Sequence, residues 1–272
     1  MTRVAIQGQL GSFHHIVAKR YFGDDITCLC RETFREVFDA IQSREADYAV
    51  CAIENTLYGG IADNYDLLLQ YRCPIIGEAV EHIHQNLIAL STTKLNDISE
   101  VYSHPVALDQ CREWLEANLP HAEVVEYHDT AGAVEHVKSL ESPYAAAIAG
   151  AAAAQLHALP ILEKNIEDEK TNLTRFLVLR SDAAVSANAN KASLVLITNH
   201  SPGALYHALG VFARYNANLT KLMSRPIRGE SFKYQFFVDV ECDSETLNLI
   251  IRDLGKLHCD VTVLGHYTAA TM

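Results

Sequence analysis

Positive charge is scarce in this chain: 22 Lys and Arg stand against 34 Asp and Glu in 272 residues, a formal charge of −12. Such a balance is poorly suited to gripping a phosphate backbone or an anionic bilayer, so no nucleic-acid and no membrane partner is expected. Long apolar runs are missing as well. The most apolar stretch, Ala145 to Ala154, is too short to cross a bilayer, and Met1-Thr2-Arg3 leads directly into an apolar strand pattern rather than a secretory leader. A soluble, cytoplasmic protein is therefore expected. No C-x-x-C pair occurs among the seven cysteines, Cys28, Cys30, Cys51, Cys73, Cys111, Cys242 and Cys259, and their number is odd. This excludes a zinc ribbon and a disulfide framework, leaving reduced, mostly structural thiols. Internal repeats and low-complexity tracts are absent too.

What is present is core-forming material, 49% hydrophobic residues, enough for one large domain or two smaller ones. Val4-Ala5-Ile6 reads as a strand and Phe13 to Tyr21 as a helix. Phe34, Val37, Phe38 and Ile41 recur at i, i+3, i+4 and i+7, the buried stripe of an amphipathic helix, before the apolar run Tyr48 to Ile53. That alternation marks an α/β fold with a largely parallel sheet. A second such unit follows, with strands near Pro74 to Ile83, Leu87 to Leu90, Val101-Tyr102, Val124-Val125 and Ala145 to Ile148, and helices near Ala107 to Leu119 and Thr130 to Leu140. The small, polar and aperiodic stretch 181–191 has the composition of a linker. Beyond it the order strand (Ser193 to Thr198), helix (Gly203 to Tyr215), strand (Leu219 to Ser224), strand (Tyr234 to Glu241), helix (Ser244 to Leu257), strand (Val261 to Tyr267) is ferredoxin-like βαββαβ.

Four segments carry chemistry. Gly8-Gln9-Leu10-Gly11-Ser12 joins the first strand to the first helix; its glycines permit a tight turn, with helix amides beyond and Ser12 as cap. Ile53-Glu54-Asn55-Thr56-Leu57-Tyr58-Gly59-Gly60 puts polar groups at the carboxyl end of a buried strand, where α/β folds bind ligands. Ser103-His104-Pro105 precedes a helix that carries Gln110. Asn172-Leu173-Thr174-Arg175-Phe176 opens the last strand before the linker, with a hydroxyl donor and a guanidinium able to grip a carboxylate. Taken alone none of them decides anything: Gly8 to Ser12 reads more readily as a plain strand-to-helix turn, and His104 more readily as a structural hydrogen-bonder. His82-Ile83-His84 lacks partners at ligand spacing and reads as strand alternation.

Taken in order, G-x-x-G-S-F, E-N-T-x-x-G, S-H-P-x-A-L-x-Q-C and N-x-T-R-F resemble the motifs of the prephenate dehydratase family. Pro202-Gly203-Ala204-Leu205, Asn218-Leu219 and Ser224-Arg225-Pro226 resemble the ACT regulatory domain that accompanies the dehydratase, so the likeness covers essentially the whole chain. Departures are Gln9 for the usual Pro, Thr56 for the commoner Ser, Val106 for Gln, and Met223 for the Glu of E-S-R-P.

The resemblance implies a two-lobed, periplasmic-binding-protein-like (type II) α/β catalytic domain over 1–181, with lobe one at about 1–72 plus 163–180 and lobe two at about 73–162. A linker at 182–191 and an ACT domain at 192–272 would follow. The implied reaction is conversion of prephenate to phenylpyruvate in L-phenylalanine biosynthesis. Thr174, Asn55, Ser103 and Gln110 would be the catalytic residues, and Ser12, Thr56, Arg175, Phe176 and His104 would bind substrate. Gly203, Ala204, Leu205, Asn218, Leu219, Ser224 and Arg225 would bind L-phenylalanine as allosteric effector, in a homodimer or homotetramer. No metal or organic cofactor is called for. Because Arg3-Val4 already begins the first strand, no fused chorismate mutase is expected. Arogenate dehydratase, the same chemistry on the amino-acid analogue, and a catalytically silent amino-acid sensor are the alternatives.

Overall fold

The computed structural model describes residues 1–182, 188–227 and 229–271, so 183–187 of the expected linker lie outside the described residues. In chain order the elements begin β1 (Thr2–Gln7), α1 (Phe13–Phe22), β2 (Ile26–Arg31), α2 (Phe34–Gln42), β3 (Tyr48–Asn55), β4 (Gly59–Gly60), α3 (Ala62–Tyr71) and β5 (Ile75–His82). Then come β6 (Asn86–Ala89), β7 (Glu100–Ser103), α4 (Pro105–Gln110), α5 (Arg112–Asn118), β8 (Glu123–Glu126), α6 (Thr130–Leu140), β9 (Ala145–Ala149), α7 (Ala151–His157), β10 (Ile161–Glu163) and β11 (Leu173–Arg180). The last elements are β12 (Lys191–Ile197), α8 (Ala204–Arg214), β13 (Asn218–Pro226), β14 (Tyr234–Glu241), α9 (Ser244–Lys256) and β15 (Asp260–Tyr267).

Contacts divide the chain into two compact units, Met1–Tyr65 with Val80–Phe176, and Asp66–Ala79 with Leu177–Met272. The first carries two lobes with a common strand order. One sheet runs β2-β1-β3-β11-β5, with β1 parallel to both β2 and β3; the other runs β8-β7-β9-β6-β10, with β7 parallel to both β8 and β9. In the first, β1 sits between β2 and β3 and the late strand β11 comes next; in the second, β7 sits between β8 and β9 and the earlier strand β6 comes next. This is the expected type II two-lobed arrangement.

Local sequence explains most of these elements. Ser12 accepts from the His15 amide to cap α1, and Thr33 with Glu36 forms a reciprocal capping box on α2. Val37, Phe38 and Ile41 on α2 are buried, as their spacing predicts. The helix expected over 107–119 is broken: Cys111, fully buried with φ −116° and ψ 15°, separates α4 from α5. The alanine-rich run from 145 hides a second boundary. Gly150 divides it into the buried strand β9 and helix α7, and a run of alanines has no periodicity from which to read that division. All seven cysteines are free.

The second unit is the expected βαββαβ, an antiparallel sheet of order β13-β14-β12-β15. Leu194 and Leu196 of β12 and Val238 and Val240 of β14 pack against Val211 and Phe212 of α8 and Ile250 and Leu254 of α9. Because side chains alternate along a strand, Lys191 and Ser193 take the other face. There the Lys191 ammonium donates to both Glu78 oxygens at 2.9 and 3.1 Å, both residues being buried. Arg225 Nη2 donates to Asp66 Oδ2 at 2.9 Å. Gly265 approaches β5 so closely that a Cβ would come within 2.2 Å of the Ile75 carbonyl oxygen. The sheet thus holds the segment from Asp66 to Ala79 by two ion pairs and a backbone contact that only glycine permits.

Candidate active site

A cavity of about 360 Å³ in the first unit is lined by strand ends and helix starts from both lobes. Three helices begin at it, and each cap is a lining residue: Ser12 for α1, His104 for α4 and Asp129 for α6. Phe13, Phe34, His14 and Phe176 form an aromatic wall, the His14 ring meeting Phe176 edge-on at 5.0 Å. His14 is buried and accepts from the Ala52 amide at 3.3 Å; burial lowers its pKa to about 3, so the ring is neutral.

Asn55 and Thr174 face the cavity from neighbouring strands. Asn55 Oδ1 accepts from the amides of Leu57 (2.9 Å) and Tyr58 (3.2 Å), which turns its amide nitrogen toward β11. That nitrogen donates to Asn172 Oδ1 at 2.7 Å, the Leu173 carbonyl at 3.2 Å and Thr174 Oγ1 at 2.9 Å. With its oxygen already accepting, the Thr174 hydroxyl keeps its proton for another partner. Gln85 Nε2 donates to Gln110 Oε1 at 3.0 Å, which leaves the Gln110 amide hydrogens for the cavity. His104 Nδ1 accepts from the Val106 amide at 3.2 Å, so the neutral ring carries its proton on Nε2. Burial lowers the His104 pKa, against the opposing fields of Asp129 and Glu126. Tyr58, from the turn after β3, donates to the Asp109 carboxylate on α4 and so spans the two lobes; burial and that bond raise its pKa to about 12.

Six of the nine catalytic and substrate-binding residues proposed from sequence line this cavity: Ser12, Asn55, His104, Gln110, Thr174 and Phe176. Three do not. Ser103 is fully buried and donates to the Ile148 carbonyl at 2.6 Å. Thr56 donates to the Thr171 carbonyl (2.9 Å) and accepts from the Leu173 amide (3.0 Å), fastening the start of β11. Arg175 lies between Thr174 and Phe176, so the strand's pleat turns it to the other face, where it pairs with Glu54 at 3.7 Å. The expectation that Arg175 grips a substrate carboxylate in the cavity is therefore corrected. Among the described residues lining it there is no Lys or Arg, and Asp129 is the one carboxylate. Positive potential there comes from helix starts and neutral N–H groups. Sequence reasoning missed Gln85 and the Asp129-Thr130 cap. The latter had a signal, an acidic N-cap before an expected helix, the same pattern as Ser12 before α1.

The chain matches known proteins over nearly its whole length. The prephenate dehydratase family model matches residues 4–184. The chain belongs to the prephenate dehydratase family. The bifunctional chorismate mutase/prephenate dehydratase of Aquifex aeolicus is 37% identical over 272 residues, covering 99% of this chain and 74% of the relative. Arogenate dehydratase 2 of Petunia hybrida is also 37% identical, over 97% of this chain and 71% of the relative. Among solved structures, the prephenate dehydratase of Arthrobacter aurescens in complex with L-Phe superposes with TM-score 0.88 at 26% identity, over 98% of this chain and 90% of that one. GqqA, described as a novel type of quorum quenching acylase, gives TM-score 0.87 at 32% identity over 98% of both chains. The dehydratase is a lyase that converts prephenate to phenylpyruvate, and among its described residues no helix is long and apolar enough to cross a membrane.

The residues of the dehydratase expected to bind effector lie on α8 and β13. Gly203 caps α8 with φ +82°, followed by Ala204 and Leu205, while Asn218 and Leu219 open β13 and Asn218 donates to Glu241 at 2.9 Å. These two groups flank opposite ends of α8, an 11-residue helix about 16 Å long. Ser224 is exposed near the far end of β13, and Arg225 is engaged with Asp66.

Proposed function

We propose that this cavity carries out the decarboxylative dehydration of prephenate with Thr174 as the group that assists the departing ring hydroxyl. The ring carboxylate leaves as carbon dioxide, the electrons of its C–C bond enter the ring, and the hydroxyl leaves with one proton as water. The observation that carries this reading is the Asn55 to Thr174 hydrogen bond, which occupies the Thr174 oxygen as an acceptor and directs its proton elsewhere. A threonine hydroxyl is too weak an acid to give up its proton freely, so it acts as an oriented donor whose bond strengthens as charge develops on the leaving oxygen. The cavity's neutral donors suit a carboxylate that must depart. A guanidinium clamp would hold that carboxylate more firmly in the ground state than in the transition state.

The proposed domain plan is catalytic over 1–181, linker over 182–191 and an ACT domain over 192–272, in a cytoplasmic protein. L-phenylalanine is proposed to bind Gly203, Ala204 and Leu205 of one ACT domain together with Asn218 and Leu219 of another. Within one chain a whole helix separates these groups, whereas a two-fold partner set antiparallel alongside joins them. A homodimer is then the smallest unit that completes the effector site, and a homotetramer pairs two such dimers.

The test is purified protein with prephenate at neutral pH, following phenylpyruvate by its absorbance in alkali, with and without L-phenylalanine. Turnover suppressed by phenylalanine supports both halves of the reading. Folded protein that binds phenylalanine without turning over prephenate or arogenate would make it a sensor.

A further inference from the structure

The sharpest unexplained feature of the cavity is the charge it does hold. Asp129 is its one carboxylate among the described lining residues, with a side chain only 9% exposed and no Lys or Arg beside it in the cavity. Oδ1 accepts from the Gly132 amide at 2.7 Å as the cap of α6, and Oδ2 lies 3.1 Å from Nε2 of His128, a ring 60% exposed on the solvent side. A carboxylate offers about four lone-pair sites, so acceptor capacity remains. A cavity built only for a dianion has no use for this group, which repels both substrate carboxylates.

The surroundings of Asp129 indicate which part of a substrate it meets. A Cβ added at Gly8 would stand 3.6 Å from the Ser12 Cβ and 3.9 Å from the Asp129 Cβ, so the residues that cap α1 and α6 flank the same glycine and line the cavity together. An anion-binding helix start beside a carboxylate matches an α-amino acid, in which a carboxylate and an ammonium share one carbon. Prephenate and arogenate differ only at that carbon, the first bearing a keto oxygen and the second an ammonium. A keto oxygen meets the Asp129 carboxylate as acceptor against acceptor, whereas an ammonium donates to it as an ion-paired hydrogen bond.

We propose that Asp129 is a specificity-determining residue that extends the cavity's substrate range from the keto acid to the ammonium-bearing analogue. The proposal rests on the dehydratase reading above, and it assigns to one residue a discrimination that the sequence motifs do not make. Asp129→Asn is the informative variant, because Asn caps a helix as well as Asp while it removes the charge and turns one acceptor oxygen into an N–H donor. A charge-assisted hydrogen bond of this kind corresponds to about a 10- to 100-fold effect.

The experiment measures kcat/KM for arogenate and prephenate with the full-length protein and with D129N, with D129S as a second capping variant and circular dichroism to confirm the fold. The expected result is turnover of both substrates by the parent. In D129N, arogenate kcat/KM falls at least tenfold while that for prephenate rises, because the repulsion of its carboxylates and keto oxygen is removed. A role for Asp129 only as a helix cap lowers both substrates together, and an unchanged ratio overturns the proposal. Turnover of prephenate alone by the parent also overturns it while leaving the dehydratase reading intact. Turnover of neither substrate removes the reading beneath it.

Discussion

Asn55 donates to Thr174 across the β3–β11 pair at 2.9 Å, and the same amide nitrogen reaches Asn172 at 2.7 Å. One side chain thereby sets the direction of the hydroxyl proton and holds the strand that carries it.

Thr174→Ala is expected to lower kcat by about 100-fold or more with little change in KM, the range for loss of a positioned proton-transfer group. Thr174→Ser keeps the hydroxyl and should retain most activity. Steady-state kinetics on prephenate separates the two; an effect of T174A confined to KM would remove Thr174 from the chemical step.

Asn55→Ala should cost nearly as much as T174A, because the hydroxyl loses its orientation. The double variant should then be little worse than either single one, a non-additivity expected of residues acting as a unit. Fully multiplicative losses in the cycle would mean that the two act independently.

The Lys191–Glu78 pair is buried on the face of the second unit's sheet away from its helices. Glu78→Gln leaves an uncompensated ammonium and should destabilise that unit by about 3 kcal/mol, whereas the double replacement K191M/E78L should recover most of the loss. Urea unfolding reports both, and a single variant as mild as the double one would contradict the expectation.

His14 imposes a pH dependence on stability. Its ordinary value is near 6.5 and burial lowers it to about 3 in the fold. Between these values the unfolded chain binds a proton that the folded chain refuses. Its contribution is therefore fully present above about pH 6.5 and is lost as pH falls toward 3, by at most about 1.4 kcal/mol per pH unit. His14→Gln keeps an acceptor for the Ala52 amide and should flatten this slope in urea titrations between pH 4.5 and 7. An unchanged slope would assign the dependence to other groups.

Gly11 has φ +89°, and a Cβ there would lie 2.9 Å from the Ala153 Cα. Gly11→Ala is expected to combine about 1–2 kcal/mol of backbone strain with a clash between the α1 turn and α7. A lower melting temperature and a lower kcat/KM are the readouts; a variant with parent stability would show that the turn relaxes.

The legibility of this protein follows what each residue's neighbours are. Short-range patterns were open to reading: the stripe Phe34, Val37, Phe38, Ile41, the cap at Ser12, and the βαββαβ order after the linker each depend on residues within a turn or two. The break at Cys111 and the strand-to-helix change at Gly150 were hidden, because apolar residues on both sides give one continuous pattern. Thr174 and Asn55 could be matched as motif members, but their bond joins residues 119 apart in the chain.

Composition, period and ordered motifs by themselves determined the α/β class, the prephenate dehydratase family and six of the residues lining the cavity, since these depend on local spacing and residue type. Only the tertiary structure decided which face each strand residue takes. The pleat sends Thr174 and Phe176 to the cavity and Arg175 to Glu54, buries Ser103 beneath the Ile148 carbonyl, and brings Asp129 beside Gly8. The charge of the site is set by that packing, because two lobes from distant parts of the chain must meet before any side chain acquires the neighbours that give it a role.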